Sequence, residues 1–232
     1  MHPSRWLSPL RCLLTALGLA LALPASAELI TFDFTATVLS VHNTGQTLND
    51  SVQVGFPFTG SYTFDSRVAG VPFGDEMLYE SVTPGCGIEA QLGHYTIRSF
   101  QEPPLRISLA NDSVMNLRDS YSVTAWGGEL NDPNLKVAIV TPVLLRDQTQ
   151  TVFSSTELPL SPPDLDSFSI RLGHVAFERL EGGELASVWT SLDSLTLRGP
   201  TPVPDAGSLS LLAFTALPLS ALWARKRLPF RP

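Results

Sequence analysis

Apolar and polar residues alternate along most of the chain between Glu28 and Gly199, with little of the three- and four-residue spacing of an amphipathic helix. The clearest run sets Ile30, Phe32, Phe34, Ala36 and Val38 against Thr31, Asp33, Thr35 and Thr37. One face is apolar and one polar, which predicts a half-buried strand. A second run sets Phe56, Phe58, Tyr62 and Phe64 against Thr59, Ser61 and Thr63, with Pro57 near its start, where a strand loses least by lacking a donor. Further strands are predicted over 77–82, 88–92, 95–100, 105–109, 120–126, 135–140, 143–145, 168–172, 175–180 and 186–197, the last divisible into two. Turn residues separate them, as in Pro84-Gly85-Cys86-Gly87, Asn131-Asp132-Pro133, Ser161-Pro162-Pro163-Asp164 and Glu181-Gly182-Gly183-Glu184. Many short strands joined by such turns predict an all-β fold: a single antiparallel β-sandwich, jelly-roll-like, over residues 28–199.

The two ends follow different patterns. Arg5 and Arg11 precede an apolar stretch from Cys12 to Leu23, and Ala25-Ser26-Ala27 then forms an A-x-A site before Glu28. That order predicts a secretory signal peptide over 1–27, cleaved between Ala27 and Glu28. At the other end, Pro200, Pro202 and Pro204 alternate in a stiff linker, 200–207, that carries Val203-Pro204-Asp205-Ala206-Gly207. Residues 208–224 are almost wholly apolar and uncharged, and Arg225, Lys226 and Arg227 open a basic tail, 225–232. As a helix, 208–224 spans roughly 25 Å, barely enough for a hydrocarbon core of about 30 Å. Pro218 predicts a kink near its middle. Basic flanks stay on the cytoplasmic side, so the Val203–Gly207 motif is expected to face outward.

Charge sharpens this division. Nine of the 15 Lys and Arg residues and all 22 Asp and Glu residues lie within 28–207, giving that span a net charge of −13 against −7 for the whole chain. A body so acidic repels nucleic acid, which is excluded as a partner. Its one cysteine, Cys86, rules out an intrachain disulfide in the exported body, so a packed core must supply stability.

Motifs of chemistry are sparse. The sequence holds no Gly-x-Ser-x-Gly elbow, no His-Glu-x-x-His, no phosphate-binding glycine loop and no Cys-x-x-Cys. His42, His94 and His174 are the body's histidines, and both His94 and His174 follow a glycine in a turn or strand context. Cys86, between Gly85 and Gly87, reads as a small residue tucked under a turn in preference to an exposed thiol. Asp65, Asp75-Glu76, Asn111-Asp112, Asp119, Asn131-Asp132 and Asp147 offer oxygens of the kind calcium prefers, without the spacing of a dedicated loop. Trp126, Trp189, Tyr62, Tyr79, Tyr95 and Tyr121 are the stock for a sugar-stacking platform, although most alternate like core residues. No catalytic residue, cofactor or metal is expected.

The C-terminal segment resembles the PEP-CTERM sorting domains, and among them the variant with a Val-Pro-Asp-Ser-Gly motif, here with Ala206 in place of the serine. Its layout is similar to that of LPXTG tails. The stretch Val54 to Asp65 resembles a segment found in such proteins, and Leu158 to Leu165 is similar to another. The resemblance covers about the last 30 residues. It implies a substrate of an exosortase, a multi-pass membrane enzyme of Gram-negative bacteria that make extracellular polysaccharide. Expected partners are thus the secretion machinery, the processing enzyme and envelope polysaccharide. The expected route is an inner-membrane-held precursor with a periplasmic domain, then the cell surface or the extracellular space. Two alternatives stand beside this non-enzymatic surface protein: a carbohydrate- or calcium-binding module on the same sandwich, and a secreted hydrolase.

Overall fold

The computed structural model describes residues 28–100, 104–113 and 118–199. The predicted signal peptide, proline linker with its Val203–Gly207 motif, membrane helix and basic tail lie outside these residues. No helix among the described residues is long and apolar enough to cross a membrane.

Twelve strands account for most of the described chain. They are β1 (Leu29–Asn43), β2 (Pro57–Asp65), β3 (Val71–Phe73), β4 (Glu76–Ser81), β5 (Gly87–Leu92), β6 (Tyr95–Phe100), β7 (Leu105–Ser113), β8 (Arg118–Trp126), β9 (Glu129–Leu130), β10 (Leu135–Asp147), β11 (Ile170–Arg179) and β12 (Leu185–Leu197). All pair antiparallel in one sheet of order β3-β4-β7-β8-β10-β11-β12-β1-β2-β5-β6-β9. The expected antiparallel all-β architecture is present, with hydrogen bonding running unbroken from edge to edge. The sheet is curled. The phenol oxygens of Tyr62 on β2 and Tyr121 on β8, five ladder steps apart, meet at 2.9 Å. The rings of Tyr95 on β6 and Phe177 on β11, also five steps apart, have centroids 5.7 Å from each other. Inward residues of opposite halves therefore share one core.

The core follows from alternation. Phe32, Phe34, Ala36 and Val38 of β1 are all buried, as are Phe58, Tyr62 and Phe64 of β2, and their rings pack at 5.1 to 5.6 Å where the two strands meet. Burial pushes the pKa of both Tyr62 and Tyr121 upward, so each phenol stays neutral and satisfies the other's polar atom.

Two predicted breaks are absent. Residues 135–140 and 143–145 form the single strand β10, which absorbs Pro142 at an irregularity where Pro142 and Val143 stand opposite Gly173 of β11. Proline enters a central strand only where the ladder is already interrupted. Gly173 does not break β11 either: it is the residue that lets the irregularity approach. A Cβ there would lie 2.5 Å from Thr190 Oγ1 and 2.9 Å from the Pro142 carbonyl oxygen. The start of β11 differs as well, because Phe168 belongs to the preceding loop, where it packs against Phe153 with ring centroids 5.7 Å apart.

That loop, 148–169, is tied down at several points. Both carboxylate oxygens of buried Asp119 accept backbone N–H groups: Oδ1 from Asp112, and Oδ2 from Val152 and Phe153 at 2.9 Å each. Tyr79 donates its hydroxyl to the Thr156 carbonyl at 2.6 Å. Asp147 accepts from the backbone N–H and hydroxyl of Thr149. Segment 158–165, singled out in the sequence, lies within this loop.

Candidate functional site

The groups expected to offer chemistry are mostly engaged in structure. Cys86 is fully buried, and its thiol pKa is raised, first by burial and then by the nearby Asp65 charge. It is the small residue beneath the turn. The folded protein should leave Cys86 unmodified by a thiol reagent such as a maleimide under native conditions, with full labelling in denaturant. Fast native labelling, followed by mass spectrometry, would contradict this placement.

The acidic turn residues are dispersed. Asp65 accepts from the backbone and guanidinium of Arg67 and from the Thr83 hydroxyl, and the Arg67 bonds hold its carboxyl below the usual range. Glu76 accepts from Ser108, Asp75 from Ser113, and Asp132 from the backbone N–H of Asn134. Asn131 joins the β6 edge by accepting from Thr96 N–H and donating to the His94 carbonyl. No group of three or more His, Cys, Asp or Glu side chains able to hold a metal is found among the described residues.

The histidines fall into two places. His94, in the β5–β6 turn, has Nδ1 2.5 Å from the Ser51 hydroxyl and Nε2 3.2 Å from the Asn49 amide. Its own backbone N–H also donates to the Ser51 hydroxyl, so the set staples the 47–52 loop to the turn. Gly93 fits because its φ is +58° and a Cβ would sit 2.2 Å from the Ser51 carbonyl oxygen. His174 and His42 lie elsewhere and on either side of Ser187. His174 Nε2 is 2.9 Å from the Ser187 hydroxyl, and His42 stands opposite Ser187 in the β1–β12 register. A serine beside an imidazole is half of a nucleophile, but among the described residues no carboxylate hydrogen-bonds to either ring. Backbone N–H groups in the middle of a sheet are also committed to the ladder instead of an oxyanion hole.

Register assembles a different feature around His174 on the outer face of the sheet. One cross-strand row reads Arg106, Thr124, Thr141, His174, Trp189 and Ser40, from β7 to β1, with Glu80 of β4 beyond Arg106. The adjoining row reads Trp126, Ile139, Ala176, Ser187 and His42. Thr124 and Thr141 hydroxyls are 3.1 Å apart across β8 and β10. The rings of His174 and Trp189 lie 4.4 Å apart, and the Arg106 guanidinium sits 4.5 Å from the Trp126 ring centre while pairing with Glu80. Partial burial lowers the His174 pKa, keeping the imidazole neutral at pH 7.

The aromatic stock has thus divided. Tyr62, Tyr79, Tyr95 and Tyr121 are all buried, whereas Trp126 is 38% exposed and Trp189 half-buried on the outer face. Sequence spacing could not have paired the tryptophans, which are brought to one face by three strand registers. An open cleft of about 420 Å³ lies apart from them, lined by residues including Thr47, Asp132, Asn134, Arg179 and Glu181. Its Arg179 is engaged by Glu184 and by the Gln46 carbonyl. No protein-family model, curated protein or solved structure matches the chain.

Proposed function

We propose that the chain is an exported, non-catalytic surface or matrix protein of a Gram-negative bacterium, sorted through its C-terminal segment. The observation that carries this reading is the ordered tail: the Val203–Gly207 motif on a proline linker, the uncharged 208–224 segment and the Arg225-Lys226-Arg227 stop, resembling a PEP-CTERM signal. The predicted signal peptide supplies the export step and leaves Glu28 as the first mature residue. The body then lies on the periplasmic side of the inner membrane until an exosortase-type enzyme cuts near the motif. After that it reaches the cell surface or the extracellular matrix, with envelope polysaccharide as its setting.

We read the curled sheet as a jelly-roll-like sandwich serving this role. Its support as a non-catalytic domain is the engagement of His94 in a loop staple, of Cys86 in the core and of His174 by the Ser187 hydroxyl. Mass spectrometry of the protein purified from its native cell decides the sorting step. The expected mature chain starts at Glu28 and ends within or close to 203–207. A native chain intact through Pro232 would replace sorting by cleavage with a permanent membrane anchor.

A further inference from the structure

We infer that the outer face spanning β8, β10, β11, β12 and β1 binds a neutral, uncharged polysaccharide chain, with Trp126 and Trp189 as its two stacking positions. This goes beyond the proposed export route and is independent of how the tail is processed.

Charge is the first argument. The body carries −13, yet the two rows from Thr124 to Ser40 and from Trp126 to His42 contain no carboxylate and no lysine or arginine. The row on the other side, Ser108, Ser122, Leu144, Leu172, Ser191 and Thr37, is uncharged too. Charge borders these rows on two sides: Glu80 pairs with Arg106 and Lys136 with Glu178 at 3.1 Å, while Asp193 accepts from Thr37 and Glu76 from Ser108, so the uncharged area is the three rows themselves. A face that offers no net charge cannot select an anionic or cationic polymer, and its complement is a neutral one.

Side-chain chemistry narrows the class. Indole rings provide broad apolar surfaces with an N–H at one end, which suit ligands whose faces are C–H and whose rims are hydroxyl. Among the described residues neither indole N–H has a protein acceptor, so both remain available to a ligand. Between the rings stand Thr124, Thr141, Ser187 and neutral His174, bonded in two pairs, Thr124 with Thr141 and His174 with Ser187, and hydroxyl groups can both donate and accept toward a sugar. Apolar Ile139 and Leu144 flank the Thr141 hydroxyl along β10, so apolar and hydroxyl groups are mixed on this face.

Geometry argues for a chain over a single sugar. Trp126 and Trp189 are separated by three ladder steps and offset by one row, or roughly 15 Å at about 4.8 Å per strand. One monosaccharide cannot touch both rings, whereas an extended oligomer crossing the strands can. The Arg106 guanidinium covers one face of the Trp126 ring at 4.5 Å from its centre and restrains the ring's plane, so less freedom is lost when a ligand stacks on the other face.

The test is affinity electrophoresis of the full chain, solubilised in detergent, in native gels cast with hydroxyethylcellulose, dextran, galactomannan or alginate. Retardation is expected with at least one neutral polymer and not with alginate. Trp126→Ala and Trp189→Ala are each expected to weaken the retarded interaction about tenfold, as for a central aromatic contact. The phenylalanine substitutions at the same positions should retain most of it, and Phe73→Ala, an exposed apolar residue off this face, should change nothing. Trp126→Ala alone keeps the test valid if Trp189→Ala disturbs folding, because Trp126 lies at the exposed margin. Three results would each overturn the inference: no retardation in any neutral gel, retardation unaffected by Trp126→Ala, or equal retardation by alginate. A wild-type dimer that Trp126→Ala converts to monomer in size-exclusion chromatography would assign the face to a second copy of the chain instead.

Discussion

Phe32→Ala is expected to lower the free energy of unfolding by about 3–5 kcal/mol, measured by urea denaturation of the intact chain. Phe32 is fully buried on β1 and meets Tyr62 edge-on at 5.5 Å and Phe64 at 5.6 Å. Removing the ring deletes two aromatic contacts and leaves a cavity that sheet backbone on both sides holds open. It also loosens Tyr62, whose hydroxyl reaches Tyr121 in the facing half of the curl. A whole domain is stable by only about 5–15 kcal/mol, so this one side chain carries a large share. Leu39→Ala is the comparison. Leu39 is 49% exposed at the β1 irregularity, and its loss should cost no more than about 0.5 kcal/mol. Equal effects at the two positions would mean that the inward and outward faces of β1 have been exchanged.

Gly60→Ala is expected to cost about 1–3 kcal/mol, although it adds a single methyl group. Gly60 pairs with Phe34 on one side and Ala90 on the other, and a Cβ there would stand 2.2 Å from the Glu89 carbonyl oxygen and 2.7 Å from Ala90 Cα. Both are backbone atoms, so relief requires β2 and β5 to separate locally. Gly70 tests the reasoning because its Cβ would also be crowded, at 2.6 Å from Met77 Cγ. Methionine can turn aside, and Gly70→Ala should therefore be the milder change. Urea midpoints of the two variants give the order directly, and a milder Gly60→Ala would show that β2 and β5 are not so closely apposed.

Strand positions were largely legible because the period-two signal is local. The run from Ile30 to Val38 gave β1 its buried face, and residues 95–100 were predicted with the bounds that β6 has. Pro142 and Gly173 misled for one reason: each is a strand breaker when judged alone, and each is accommodated by the other across β10 and β11. Short β3 and β9 escaped notice because two or three residues show no period. The curl was not legible, since it depends on contacts such as Tyr62 with Tyr121, 59 residues apart. The Trp126–Trp189 face was hidden more deeply. Alternation marks a residue as inward or outward, but which outward residues become neighbours depends on registers that bulges shift, as at Leu39 and Ala138.

The ends of the sheet bear on a different hazard. A ladder of twelve strands terminates in β3, three residues long with Pro72 at its centre, and in β9, only two residues long. Strand edges are where foreign chains add themselves, and proline and brevity both deny them a template. Crowded among its own copies, such a domain can expose a broad sheet face while offering almost no edge from which fibrillar aggregates could grow.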